Sequence, residues 1–139
     1  MHAMRRLLEP ARPDPVALGL LALAAVCVLV AGAQHARLFH RGYAEVEIVG
    51  LLFLMNAIGS TGVVLALILD RAWLFVLGAL SICVPSLVSI AISHTSGYFG
   101  FREGGYDADA LVIVVAEVAA VVLALLGAAA LSATARADR

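Results

Sequence analysis

Four apolar runs, at residues 16–34, 46–69, 72–93 and 110–131, limit what this chain can fold into more than any other feature. Each is close to the roughly 20 residues that a helix needs to cross a hydrocarbon layer about 30 Å thick. Hydrocarbon offers backbone amides no hydrogen-bond partner, so each run must satisfy its own as a helix. A barrel would instead show short segments of alternating polarity, which are absent. The composition agrees: of 139 residues 63% are hydrophobic and 14% charged, more apolar surface than one small core can cover. The expected fold class is all-α, a polytopic membrane protein forming an antiparallel bundle of four transmembrane helices in a single domain over residues 1–139.

The connections refine this. Asp70-Arg71 leaves room only for a tight turn, which makes the middle helices a hairpin, whereas 35–45 is a short polar loop and 94–109 a longer one rich in glycine. The two hairpins share no motif, so a duplicated transporter is not indicated. Arg5, Arg6, Arg12, Arg71, Arg136 and Arg139 fall on one side of the four runs, and Arg37, Arg41 and Arg102 on the other. Basic residues are retained in the cytoplasm, so both termini are expected there, in a bacterial plasma membrane. Glu45, Glu47, Glu103, Asp107 and Asp109 would then lie outside with His35, His40 and His94. Arg5-Arg6, the first apolar run and Ala31-Gly32-Ala33 also fit a secretory signal, but cleavage there would leave an odd number of helices. Nine basic and ten acidic residues give a net charge of −1, so nucleic-acid binding is not expected. The absence of lysine and the abundance of alanine and arginine match the bias of a GC-rich bacterial genome.

Within the spans a few polar residues stand out. Glu117 lies about 10 Å inside the outer end of the fourth run, where an ionisable group is costly and points to function. It belongs to the face marked by Ala116, Ala120, Ala124 and Ala128, a stripe that lets helices approach closely. Asn56, about 13 Å deep on the second run, is its expected partner; nearby Gly59 and Gly62 are expected at a helix contact. Ser86, Ser89 and Ser93 share one face of the third run just beyond Pro85. Together with Gln34 these residues place nearly all intramembrane polarity in the outer half, as a polar cavity open to the outside would.

His35 and His94 end two helices on that side and invite a metal or haem reading. No paired-histidine or Cys-x-x-Cys spacing supports it, so no cofactor and no metal are expected. Cys27 and Cys83 lie mid-run and are read as small hydrophobes. The segment from Ser93 to Tyr106 interleaves Tyr98, Phe99, Phe101 and Tyr106 with glycines, the pattern of an interfacial aromatic belt; its length also suits a lid or a docking surface.

Asn56-Ala57-Ile58-Gly59-Ser60 resembles the second-helix pattern of the small four-helix fluoride channels. The third run, however, reads Ser81-Ile82-Cys83-Val84-Pro85-Ser86 where those channels carry a Thr-Thr-Phe-Ser type motif, and their first-helix arginine motif is missing. Small multidrug transporters carry their carboxylate in the first helix, which has none here. From His35 onward the chain is similar to a group of small four-helix membrane proteins of high-GC, actinobacterial-type bacteria. The shared features are His35, the Asp70-Arg71 hairpin, Ser93-His94-Thr95-Ser96-Gly97 (a Ser-[His/Arg]-Thr-x-Gly element) and Glu117. That resemblance implies the fold and marks those positions, and it implies no activity.

With no nucleophile beside a base, no metal set and no phosphate-cradling loop, no enzyme is expected. The first functional expectation is an accessory or scaffold protein in the bilayer, packing against a membrane partner or a second copy through its alanine stripe. The alternative is a transport or sensing module that binds a proton, cation or small polar ligand around Glu117, with Asn56, Ser86, Ser89, His94 and His35 as the contributing residues.

Overall fold

The computed structural model describes residues 15–137; His2, Arg5, Arg6, Arg12 and Arg139 lie outside the described residues. Four helices follow one another, α1 (Pro15–His40), α2 (Glu47–Ile68), α3 (Ala72–Thr95) and α4 (Ala108–Ala137), with a 3-10 turn at Tyr43–Glu45 between the first two. Each of the four is long and apolar enough to cross a membrane.

The helices outrun the apolar segments that predicted them. α1 continues past Gln34 because nothing from His35 to His40 breaks a helix, and it ends before Gly42, whose φ of 130° no helical residue adopts. This corrects the placement of His35 in a loop. α3 similarly runs through Pro85 to Thr95 and stops before Gly97, at φ 88°. α4 begins where the Asp107 carboxylate accepts the amide of Ala110 at 2.8 Å, satisfying one orphan donor of the first turn.

The α2–α3 turn closes with the amide of Arg71 on the carbonyl of Ala66 at 2.8 Å and that of Asp70 on Leu67 at 3.0 Å. This paired closure needs a left-handed residue, and Asp70 supplies it at φ 58°.

Buried residues recur at alternating steps of three and four, the spacing that keeps one helix face turned to its neighbours. On α1 they are Ala17, Leu21, Ala24, Val28, Ala31 and His35; on α4 they are Ile113, Glu117, Ala120, Ala124, Gly127 and Leu131. The helices pack in a ring, α1 on α2, α2 on α3, α3 on α4 and α4 on α1.

Small residues set the closeness of approach. A Cβ at Gly127 would come within 2.5 Å of Leu21, and one at Gly32 within 2.6 Å of Ser60. Between α2 and α3, Gly78 meets Val63 and Gly59 meets Ile82.

Ala116, Ala120 and Ala124 are buried and Ala128 is half-buried. With Ala120 and Ala124 in the same core as Ala17, Leu21, Ala24 and Val28 of α1, the stripe is occupied within the chain. Gly62 departs from its expected role: it is exposed, and a Cβ there would meet nothing within 4 Å. It lies off the face that carries Asn56, Ser60 and Ala66. The outward faces are apolar, with Val26, Leu51, Ile58, Val115 and Leu125 all more than half exposed.

Candidate functional site

Each helix contributes a polar residue to one level of its buried face. These are His35 on α1, Asn56 and Ser60 on α2, Ser86 on α3 and Glu117 on α4. His35 is 2% exposed, Asn56 7%, Ser60 1% and Glu117 0%.

They form a chain across the bundle. Ser60 Oγ donates to Asn56 Oδ1 at 3.3 Å, and Asn56 Nδ2 donates to Glu117 Oε1 at 3.4 Å. Ser86 stands beside the Glu117 carboxyl and has its hydroxyl 3.4 Å from His35 Nε2. His35 Nδ1 lies 2.9 Å from the carbonyl oxygen of Ala31. A carbonyl only accepts, so Nδ1 donates; in the neutral ring Nε2 is then the acceptor for Ser86. Ser86 thus stands between the two side chains, His35 and Glu117. Glu117 Oε2, fully buried, has no hydrogen-bond partner among the described residues.

Bonds of 3.3–3.4 Å are long and leave room for shorter ones. A buried carboxylate with no cation beside it is costly, and a proton or an incoming cation is what relieves that cost.

Above this level a cavity of about 330 Å³ opens between the helices. Its floor includes Asn56 and Ser86, and Ser89 and His94 stand on its wall. Glu117 lies one side chain behind the floor. Of the six residues singled out from the sequence for ligand or proton, five therefore line the cavity, and the sixth touches two of them. Ser89 returns its hydroxyl to the carbonyl of Pro85 at 2.8 Å. His94 stacks on Tyr106 with centroids 3.8 Å apart, its two nitrogens facing the carbonyls of Ile90 and Gly105.

The mouth is built by residues that hydropathy does not single out. Tyr43 packs edge-on against Phe53 at 4.6 Å and Phe101 at 5.6 Å, and His35 against Phe53 at 5.0 Å. The Tyr43 hydroxyl donates to Glu103 at 2.9 Å, tying the 3-10 turn to the long loop. Burial, then Glu103, then the nearby carboxylates of Asp107 and Asp109 push the Tyr43 hydroxyl well above its usual range.

Gly50 makes the seating of that turn possible, since a Cβ there would run into the carbonyl of Tyr43. The long loop folds back through a tight turn in which Tyr98 and Phe101 exchange backbone bonds of 2.7 and 2.9 Å. Its central residues, Phe99 and Gly100, have φ of 48° and 79°, as such a turn requires. Beside the mouth, Gln34, Arg37 and Arg41 all converge on Asp109.

Sequence reasoning missed Ser60, Tyr43 and Phe53. Ser60 was findable as the residue one helical turn beyond Asn56; the aromatic pair carries no local signal. Among the described residues no three His, Cys, Asp or Glu side chains group as metal ligands, and both cysteines are free thiols. No family profile, curated protein or solved structure matches this chain.

Proposed function

We propose that this is a multi-pass protein of a bacterial plasma membrane, an antiparallel four-helix bundle with both termini cytoplasmic. In this reading it acts, without enzymatic chemistry, as a transport or sensing module that takes a proton or a small cationic or polar ligand from outside.

The carrying observation is the Glu117 carboxyl, fully buried with one oxygen unpartnered and held by two side chains of a cavity floor. A scaffold of this size has no need of such a group, and the alanine stripe that the accessory reading relied on is taken up by α1. Two buried groups that can exchange protons, Glu117 and His35, meet through Ser86. That is the arrangement of a short relay between a buried acid and the cavity.

The groups facing Glu117 are Asn56 from α2, and Ser86 and Cys83 from α3; His35 of α1 joins through Ser86. Infrared difference spectra of the purified protein between acid and alkaline pH test the reading. The expected result is a protonated-carboxyl band that disappears in Glu117→Gln. Identical pH-difference spectra for the two proteins would remove Glu117 from the function.

A further inference from the structure

We propose that the cavity binds an organic ammonium ion with an apolar body, drawn in by Glu103 and Asp107 and held against the Tyr43, Phe53 and Phe101 rings. This deepens the reading of the cavity as a ligand site and rests on it.

Charge gives the sign of the ligand. Glu103 and Asp107 line the cavity and neither arginine nor lysine does. Arg37 and Arg41 are turned to Asp109, and Arg102, between the lining residues Phe101 and Glu103, does not itself line the cavity. Glu117 adds a third carboxyl behind the floor, with an oxygen that nothing among the described residues satisfies. An anion entering here would meet three acids and no arginine or lysine.

Shape and wall chemistry give the rest. A volume of about 330 Å³ suits a small organic molecule rather than a bare ion. A bare divalent ion would need a shell of oxygen ligands, and no such cluster stands among the described residues. Aromatic faces instead attract a charge spread over carbon-bearing nitrogen. Tyr43 and Phe53 are held edge-to-face by their own contacts, so the wall is in place before a ligand arrives. The polar floor of Asn56 and Ser86 lies at the opposite end from the mouth acids, giving the cavity acidic or polar groups at both ends and apolar sides between.

The test uses the full chain in a non-ionic detergent and titration calorimetry with three probes of similar size: benzyltrimethylammonium, neutral N-benzylacetamide and anionic benzenesulfonate. The cation is expected to bind at least about tenfold more tightly than the neutral probe, with no binding of the anion.

Glu103→Gln/Asp107→Asn removes both charges while keeping the oxygens that accept from Tyr43 and cap α4. It should weaken the cation about tenfold and leave the neutral probe unchanged. Phe53→Leu, which keeps an apolar wall without a ring, should weaken the cation selectively. Equal binding of all three probes, or cation binding unaffected by both variants, overturns the proposal. So does a cation that fails to bind; if the infrared band still vanishes in Glu117→Gln, the proton reading survives that failure, and if it does not, both fall.

Discussion

The α1–α4 seam and the α2–α3 side of the same bundle solve the packing problem in opposite ways. Along the seam, Ala17, Ala24, Ala120, Ala124 and Gly127 bring two backbones together with little between them but Leu21 and Val28. On the other side, beyond the close Gly78–Val63 and Gly59–Ile82 contacts, Leu52, Phe53 and Ile90 line a cavity. Small side chains at regular spacing remove the bulk that keeps helices separate, whereas large ones prop them open unless they interdigitate. The seam therefore serves as the rigid half against which a site can be held. Glu117 sits at their meeting point, on the seam helix but bonded across to Asn56.

The contrast is easiest to break at the seam. Ala120→Leu, at a fully buried position, should cost about 1–3 kcal/mol or more through overpacking, seen as a lower thermal midpoint in detergent. Next comes the polar level: Asn56→Leu takes the amide donor away from Glu117 Oε1 and should cost about 1–3 kcal/mol, part of which Glu117→Leu in the same chain restores. Failure of the second change to rescue the first would deny that the two act as a pair.

On the cavity side the effects shrink. Tyr43→Phe removes the bond to Glu103 and should cost about 0.5–1.5 kcal/mol, with faster amide exchange in residues 98–107 as the readout. Burial of the same hydroxyl, together with that bond, predicts a pH dependence. The folded state holds the Tyr43 hydroxyl protonated above its ordinary value of 10.0, so its contribution is complete below about pH 10 and is lost as pH rises beyond it. That alkaline loss should be absent from Tyr43→Phe.

Asp70→Gly, relieving a left-handed residue in the tight turn, should raise stability by up to about 1 kcal/mol. Ile90→Phe, adding bulk beside open space, should change it by less than about 0.5 kcal/mol. If Ile90→Phe proves as costly as Ala120→Leu, the two halves are packed alike and the contrast fails.

Much of the site was visible in the amino-acid order. Asn56, Ser86 and Glu117 are polar residues in apolar runs, and burial of polarity in such runs is rare enough to single them out. His35 was legible as a polar group but not as a buried one, because hydropathy ends the first run at Gln34 while helix formation does not. Its place was nevertheless written in the spacing: it is the next step after Val28 and Ala31 on the buried face of α1. Tyr43, Phe53 and Phe101 come from a turn, a helix and a loop, and no one-dimensional pattern joins them.

What the sequence by itself determined is the set of four helices and, on α4, the face that it buries. Both follow from short-range causes, the length of apolar runs and the three-and-four spacing of small or apolar residues. Only the tertiary structure decided that His35, Asn56, Ser60, Ser86 and Glu117 share one level, and that the Tyr43 turn and the 95–107 loop close over them. Those meetings depend on the axial offset and rotation of every helix against its neighbours, and these are set by all the packed faces together.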